Sequence, residues 1–282
     1  MEGVPSYWFR EGLLTEEESS ALLAERGRVA QKCTGGAKKP VFLFPDKVVK
    51  GPWHLPIDAL RLNRELGRSA LMRHWALPET ECAVLEPALF AHPDNESVYL
   101  VTPALYPKPM SPDAWEVESV SRSVSKVGPR ILEVISRAST GVIRVSDRVR
   151  KEPGYLLHSP EIWEHLIHRC ILECGDSGLH NMMVAPDTDK AVGVDLDEMR
   201  NTHREKPNEW MTLLFKSPPA RKLHPYLQES LDKYQSHIKE VLRRLEGRCF
   251  DERSGQILQE HNLQEGNWQE RIGWLRGALL AS

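Results

Sequence analysis

The first third of the chain consists of short apolar runs separated by turn-forming residues, a pattern typical of strands. These runs predict five strands, at residues 29–33, 40–44, 47–52, 82–90 and 98–102. A helix is predicted after Thr15, which can form a capping box with Glu18. A second helix is predicted over residues 56–75, because apolar side chains recur there at helical spacing. The pattern therefore predicts a small sheet accompanied by two helices.

Helical periodicity dominates the rest of the chain. Ser159 and Pro160 predict a helix start, with the serine as N-cap and the proline at the first helical position. Apolar residues continue at helical spacing until Gly175 ends that helix. Further helical patterns cover residues 112–138 and most of the chain after residue 208, most clearly residues 227–245. Strands followed by many helices predict an α+β protein.

Three polar residues lie around a predicted hairpin. Asp176 is followed five residues later by Asn181, and Asp195 follows after fourteen more. Between the last two, apolar runs at 182–184 and 191–194 flank a polar turn, which predicts a hairpin. Phosphoryl transfer uses one carboxylate to orient the attacking hydroxyl, and an asparagine and a second carboxylate to hold metal ions. A loop and a hairpin would bring these groups together here.

This arrangement resembles the catalytic loop and the metal-binding aspartate of the protein-kinase-like superfamily. The match is closer to phosphoinositide kinases and to aminoglycoside and choline phosphotransferases than to ordinary protein kinases. The resemblance, which spans residues 29–215, implies a two-lobed α+β fold. Its five-stranded antiparallel N-lobe would lie within residues 1–103 and its mostly helical C-lobe within residues 104–282. It also implies transfer of the γ-phosphate of ATP to a hydroxyl, with Mg²⁺ as cofactor.

The resemblance implies a role for each matching residue. Asp176 looks like the catalytic base, and Asn181 and Asp195 look like the metal ligands. Lys50, on the third predicted strand, looks like the lysine that binds the phosphates, and Glu65 looks like the residue that positions it.

Alternatives remain for the last two residues. Lys47 is a second candidate for the phosphate-binding lysine, although it lies at a turn. Glu65 fits equally well as a surface residue that pairs with Arg61 or Arg68.

The remaining nucleotide-binding residues follow from the same resemblance. Gly35 and Gly36 form a glycine turn between the first two predicted strands, where backbone N–H groups can approach phosphates. The segment after residue 102 matches the hinge whose backbone binds adenine. Because Pro103 lacks an N–H, Ala104 or Leu105 would supply the donor.

The chain also departs from the protein-kinase pattern. Cys174-Gly175 stands where protein kinases have His-Arg, and Gly178 stands where serine/threonine kinases have a lysine. Asp195 is followed by Leu196-Asp197-Glu198 rather than Phe-Gly, so Asp197 is a candidate for a further metal ligand. No Ala-Pro-Glu motif follows, which favours a small-molecule acceptor, or a protein acceptor that docks in another way. The missing lysine also keeps a pseudokinase, a binding or scaffolding module, as the alternative.

Composition and charge narrow the range of possible partners and cellular locations. A net charge of −3 gives no basic field for nucleic acid, and no window is apolar enough to span a bilayer. The N-terminus lacks a secretory pattern and the five cysteines are scattered, so we expect a cytoplasmic or nuclear protein. A metal site of Cys170, Cys174 and His180 is a third hypothesis, against which helical spacing favours packing of the cysteines in a core.

Overall fold

A computed structural model of the chain describes residues 3–24, 41–44, 46–78, 84–94, 96–105, 143–172, 179, 182–194, 196 and 218–280. The chain divides into two compact units. The first comprises Met1–Leu62, Leu85–Val142 and Ala185–Asp187, and the second comprises Asn63–Val84, Ile143–Val184 and Thr188–Ser282. Helices and strands are both present, which confirms the α+β class predicted from the sequence.

The described elements follow one another along the chain in this order: α1 Glu16–Ala24, β1 Val41–Leu43, β2 Lys47–Trp53, α2 Ala59–Trp75, β3 Ala88–Ala91, β4 Val98–Pro103, α3 Val145–Lys151, α4 Glu161–Ile171, β5 Met182–Val184, β6 Ala191–Gly193, α5 Pro218–Lys233, α6 Gln235–Arg248, α7 Glu252–Glu260 and α8 Trp268–Leu280. Two short 3₁₀ turns occur at Ser6–Trp8 and Pro153–Leu157. The strand predicted at 29–33 and the helical pattern at 112–138 lie outside the described residues.

The first unit is built on a four-stranded antiparallel sheet with the strand order β1-β2-β4-β3. These strands correspond to the last four of the five predicted from the sequence. On one face, Val49 of β2 pairs with Val101 of β4 and packs in a core with Leu22 of α1. On the other face, Lys50 pairs with Leu100, which in turn pairs with the fully buried Leu89 of β3. The two faces follow from the alternation of side chains along a strand.

The predicted capping box at the start of α1 is confirmed. The Thr15 N–H donates to Glu18 Oε2 at 2.8 Å, and the Glu18 N–H donates to Thr15 Oγ1 at 3.1 Å. Lys47 Nζ binds the same Glu18 carboxylate at 3.1 Å and the Leu13 carbonyl at 3.2 Å. One lysine of the sheet thus ties the start of α1 to β2.

Two strand boundaries differ from the prediction. β2 does not end at Gly51-Pro52 but continues to Trp53, because an irregularity in the pairing with β4 accommodates the extra residues. The strand predicted from residue 82 begins only at Ala88. Pro87 has no N–H for a ladder, and Val84 forms an isolated bridge to Gly193 instead.

The second unit surrounds helix α4, all eleven residues of which are buried. Its apolar residues, including Ile162, Trp163 and Leu166, belong to the large core of this unit. Helices α6 and α8 pack against it, and Arg271 of α8 donates a hydrogen bond to the carbonyl of Cys170 at 2.9 Å. Cys170 is itself part of the core, as its helical spacing predicted.

The predicted capping of α4 is wrong. The helix begins at Glu161 with Pro160 as its N-cap residue, and no side chain caps it. The carbonyl of Ser159 accepts from the Ile162 N–H at 3.2 Å, and its side chain does not supply the cap that the sequence assigned to the helix.

The tract predicted as helical at 227–245 is two consecutive helices, α5 and α6, separated at Tyr234. The backbone of Tyr234 lies at φ −103° and ψ 19°, outside the helical region. Its hydroxyl donates to the carbonyl of Leu157 at 2.6 Å, which fixes the position of the break.

Helix α2 approaches the connection between α7 and α8 very closely at Gly67. A Cβ atom added at this position would lie 2.6 Å from Leu263 Cδ1 and 2.8 Å from His261 Cβ. No side chain fits there without movement of the helix, so glycine is required by packing in spite of its low helix propensity.

We predict that Gly67→Ala lowers the free energy of unfolding by about 1–3 kcal/mol, because the methyl group overpacks this contact. Gly273→Ala is the matched control: Gly273 also lies within a helix, and an added Cβ meets nothing within 4 Å. That substitution should stabilise the protein by up to about 1 kcal/mol. Urea unfolding of both variants measures the two effects, and equal stability would contradict the close approach.

Candidate functional site

The structure describes only part of the predicted site. Asp176, Asn181 and Asp195 lie outside the described residues. So do Gly35 and Gly36 of the predicted glycine turn. Met182, which follows Asn181, and the two neighbours of Asp195 are described, and so are Lys50, Glu65, Ala104 and Leu105. The site can therefore be built from the elements that hold these neighbours.

The predicted hairpin is confirmed. Strands β5 and β6 are antiparallel, and Met182 pairs with Gly193 at the open end of the hairpin. Asn181 directly precedes Met182 in sequence, and Asp195 follows Gly193 by two residues. Both predicted metal ligands are thus joined covalently, within two residues, to the same end of one hairpin.

Helix α4 and the turn before it hold this hairpin through buried polar side chains. Glu161 Oε1 accepts a hydrogen bond from the Ala191 N–H at 2.9 Å. Tyr155 donates its hydroxyl to the carbonyl of Asp189 at 2.6 Å. Burial raises the pKa of Glu161. Burial, together with the negative charges of Glu161 and Asp189, raises the pKa of Tyr155 to about 12. The hairpin is therefore fixed along the strand that leads to Asp195.

His165 of α4 lies directly against the open end of the hairpin. A Cβ atom at Gly193 would lie 2.0 Å from His165 Nε2. The imidazole occupies the space that a side chain at position 193 would need, so only glycine permits this contact. Burial, and then the charge of Arg169, hold the pKa of His165 well below its usual value of 6.5.

Two arginines bind the backbone on either side of Asp195. Arg169 of α4 donates from Nη2 to the carbonyl of Val194, the residue just before it. Arg68 of α2 donates from Nη1 to the carbonyl of Leu196, the residue just after it, at 3.1 Å. Arg169 is fully buried and Arg68 is half-buried. Guanidinium groups from two helices thus bind the carbonyls of the two residues that precede and follow the predicted metal ligand in sequence.

His168 is a second fully buried imidazole on α4. Its ring meets Trp75 edge-on with 6.0 Å between ring centroids. Neither ring nitrogen has a hydrogen-bond partner among the described residues. Burial lowers the pKa of His168 to about 3, with smaller contributions from the charges of Arg244 and His237. The side chain is therefore a neutral packing residue at neutral pH.

The two candidate lysines of the first unit differ in their surroundings. Lys47 binds Glu18 and the Leu13 carbonyl, so its ammonium group stabilises the contact between β2 and the start of α1. Lys50 is half-buried on the opposite face of the sheet, and its Nζ lies 5.8 Å from the centre of the Trp53 ring. The assignment of Lys50 as the phosphate-binding lysine stays a prediction.

Glu65 lies on α2 and is 8% exposed. It is therefore not the surface residue of the alternative interpretation, whereas its pairing with Lys50 stays a prediction. At the predicted hinge, the Ala104 N–H donates to the carbonyl of Asp46 at 3.0 Å. Leu105 is consequently the better candidate for the backbone donor to adenine.

The hypothesis of a cysteine and histidine metal site gains no support. Cys170 packs in the core, whereas Cys174 and His180 lie outside the described residues. Within the described part of the chain, no three His, Cys, Asp or Glu side chains are grouped so that they could hold a metal ion. Nor does any helix in that part have the length and apolar character needed to cross a membrane.

The sequence did not reveal the polar residues that contact the hairpin and the residues after it: Glu161, His165, Arg68 and Arg169. The helical spacing of the apolar residues in α4 predicts one buried face, whereas all eleven residues of the helix are buried. The one usable signal is Gly193, a glycine inside an apolar strand, which indicates a close approach by another group.

Comparison of the chain with protein-family models, curated proteins and solved structures finds no match.

We predict that the buried histidines make the fold sensitive to acid. The pKa of His168 is about 3 in the folded protein, below the value of 6.5 in the unfolded chain. Its contribution to the free energy of unfolding is therefore complete above pH 6.5 and is lost as pH falls toward 3. By pH 5 the loss is about 2 kcal/mol for this residue alone. The lowered pKa of His165 also makes the free energy of unfolding fall as pH decreases.

Urea unfolding between pH 7 and pH 5 checks this prediction. The free energy of unfolding should fall less steeply in His168→Leu than in the wild type, because the variant has no proton to gain at this position. Glu161 has a raised pKa and so acts in the opposite direction, but it is common to both proteins. Parallel curves for the two proteins would contradict the prediction.

Proposed function

We propose that this protein is an ATP- and magnesium-dependent phosphotransferase with a two-lobed protein-kinase-like fold, related in its catalytic loop to the atypical kinases. The observation that carries the proposal is the β5–β6 hairpin. In sequence, Asn181 directly precedes its open end and Asp195 follows that end by two residues, and two arginines donate to the carbonyls of Val194 and Leu196. Such rigid support is what a metal-binding pair of residues requires.

The proposed roles divide between the phosphate donor and the acceptor. Asn181 and Asp195 would hold Mg²⁺, since an amide oxygen and a carboxylate are the hard ligands that this ion prefers. The ion supplies charge neutralisation at the nucleotide phosphates. Lys50 would bind the phosphates, Glu65 would position Lys50, and Asp176 would accept the proton of the attacking hydroxyl.

The acceptor belongs to a broad class, a hydroxyl on a small molecule or on a protein. The short segment between Asp195 and the helical pattern after residue 208 leaves little length for a peptide-binding activation segment. A small-molecule acceptor is the better fit to that length. Incubation with labelled ATP, followed by separation of protein, lipid and metabolite fractions, identifies the acceptor class.

A pseudokinase is the second candidate. Gly178 leaves the catalytic loop without the lysine that serine/threonine kinases carry two residues after the catalytic aspartate. Against it stands the full set of Lys50, Asp176, Asn181 and Asp195, which a pure scaffold does not need. Binding of nucleotide without transfer to any fraction would favour the pseudokinase.

We predict that Mg-ATP raises the melting temperature of the protein and that Asp195→Ala removes most of this rise. Binding to the folded state stabilises by about 2.7 kcal/mol at a ligand concentration 100-fold above Kd. Asp187→Ala, which removes the same charge from the exposed turn of the hairpin, is the matched control and should keep the full rise. Equal shifts with and without magnesium in all three proteins would argue against the metal role.

We predict that Asp176→Asn abolishes phosphoryl transfer and leaves the Kd for Mg-ATP within about twofold of the wild type. The aspartate acts on the acceptor hydroxyl, so its loss should slow the chemical step, by roughly 10²–10⁴-fold for a lost general base. Asn181→Ala should instead weaken magnesium-dependent binding and turnover together. Undiminished transfer by Asp176→Asn would refute the assignment of the base.

A further inference from the structure

Strand β2 contains one residue more than regular pairing allows, between Lys50 and Trp53. Lys50 pairs with Leu100 of β4, and Trp53, three residues later, pairs with Val98, only two residues away along β4. Residues two positions apart on a strand share one face of the sheet, so Lys50 and Trp53, which pair with them, share that face as well. In a regular strand, residues three apart would lie on opposite faces. A β-bulge has therefore moved Trp53 to the face of Lys50.

Gly51 provides the backbone geometry of this bulge. Its φ of 156° lies in a region that residues with a side chain rarely adopt. A Cβ atom at this position would also lie 2.7 Å from Tyr99 Cδ1 on the neighbouring strand. Glycine is therefore required here both by the backbone conformation and by packing. A bulge that needs one specific residue is a built feature of the strand, and bulges next to active sites commonly re-aim a side chain.

The bulge brings Trp53 against both ends of Lys50. The indole Nε1–H donates a hydrogen bond to the Lys50 carbonyl at 3.2 Å. The Lys50 Nζ atom lies 5.8 Å from the centre of the indole ring, within the range of a cation–π interaction, for which tryptophan is the most favourable side chain. One side chain thus contacts the backbone of the lysine and its ammonium group.

The indole ring is itself held in place. Trp53 is fully buried, and the guanidinium carbon of Arg61 lies 5.4 Å from the centre of the same ring. A large buried ring has little freedom to change its rotamer in a close-packed interior. A lysine side chain, in contrast, has a flexible four-carbon stem, and its conformational freedom is lost when the ammonium group binds a ligand. Contact with a fixed ring removes part of this freedom beforehand.

We propose that Trp53 is a positioning residue for Lys50, and that the bulge in β2 serves to place the indole ring against the ammonium group. This inference rests on the proposed function, in which Lys50 binds the phosphates of ATP. Trp53 does not contact the nucleotide in this proposal. It restricts the ammonium group to a small region beside the ring, so that less conformational entropy is lost when the phosphates bind.

The test compares variants of the full chain by calorimetric titration with Mg-ATP, at a temperature at which circular dichroism shows each variant to be folded. Trp53→Leu removes the ring and its N–H, whereas Trp53→Phe keeps an aromatic ring without the N–H. Trp163→Phe is the matched control. Trp163 is also fully buried, and its indole donates to Ser230 Oγ at 2.9 Å in the second unit.

We expect Trp53→Leu to weaken the affinity for Mg-ATP about 3- to 10-fold, because the lysine must then be ordered during binding. Trp53→Phe should weaken it less, since the remaining ring still attracts the ammonium group. Trp163→Phe should keep the wild-type affinity, although it loses a buried hydrogen bond and lowers the melting temperature. If Trp53→Leu does not fold, the comparison of Trp53→Phe with Trp163→Phe provides the test.

A double-mutant cycle separates positioning from general packing. Lys50→Met has no ammonium group, so adding Trp53→Leu to it should change the affinity for Mg-ATP by less than about twofold. A side chain that acts only through packing would cause the same loss with and without the lysine.

The outcomes distinguish the two proposals. If Lys50→Met weakens Mg-ATP binding and Trp53→Leu leaves it unchanged, or weakens it equally with and without the lysine, the positioning role is overturned and the proposed function stands. If the wild type does not bind Mg-ATP, or if Lys50→Met binds it as tightly as the wild type, the role of Lys50 in the proposed function fails, and this inference fails with it.

Discussion

Helix α4 is buried on every side, and this constraint determines how the second unit is built around it. A surface helix leaves its polar side chains in water, whereas each polar group on a buried helix loses hydration and needs another partner. Glu161 obtains one from the Ala191 N–H, and Glu164 from the Leu77 N–H at 2.7 Å. The partners lie on the hairpin and just beyond α2, so satisfying the helix also fixes the elements that surround it.

The chemistry of the proposed site depends on this arrangement through the hairpin. A metal ligand on a loose loop must be ordered when the ion binds, which costs affinity. Here the strand before Asp195 is bonded to Glu161, lies against His165 and ends at Arg169. Several buried polar contacts thus hold one short segment, as expected where the position of a side chain matters more than the stability of the fold.

Local signals in the sequence were sufficient for much of the fold. The capping box of Thr15 and Glu18, the β5–β6 hairpin and the strand β2 each depend on a few neighbouring residues, and these predictions are confirmed. One prediction failed where a distant residue supplied the pairing: Val84 formed a bridge to Gly193 instead of extending a strand.

In the candidate site, too, contacts between residues far apart in sequence could not be predicted. Asp176, Asn181 and Asp195 stand out through their spacing, because the chemistry that they would perform demands it. Arg68 and Arg169 have no such spacing, since they lie on two helices far apart in sequence and meet the Asp195 segment only in the folded chain. No one-dimensional pattern distinguishes a buried arginine of this kind from one that faces solvent.

The contact between His165 and Gly193 has a consequence for how this chain can diverge. Because the imidazole fills the space over the glycine, any side chain at 193 requires a much smaller residue at 165. Sequences descended from this one should therefore replace Gly193 only together with His165. Such paired substitution, between a helix and a strand 28 positions apart in the chain, would trace the fold where overall similarity has faded.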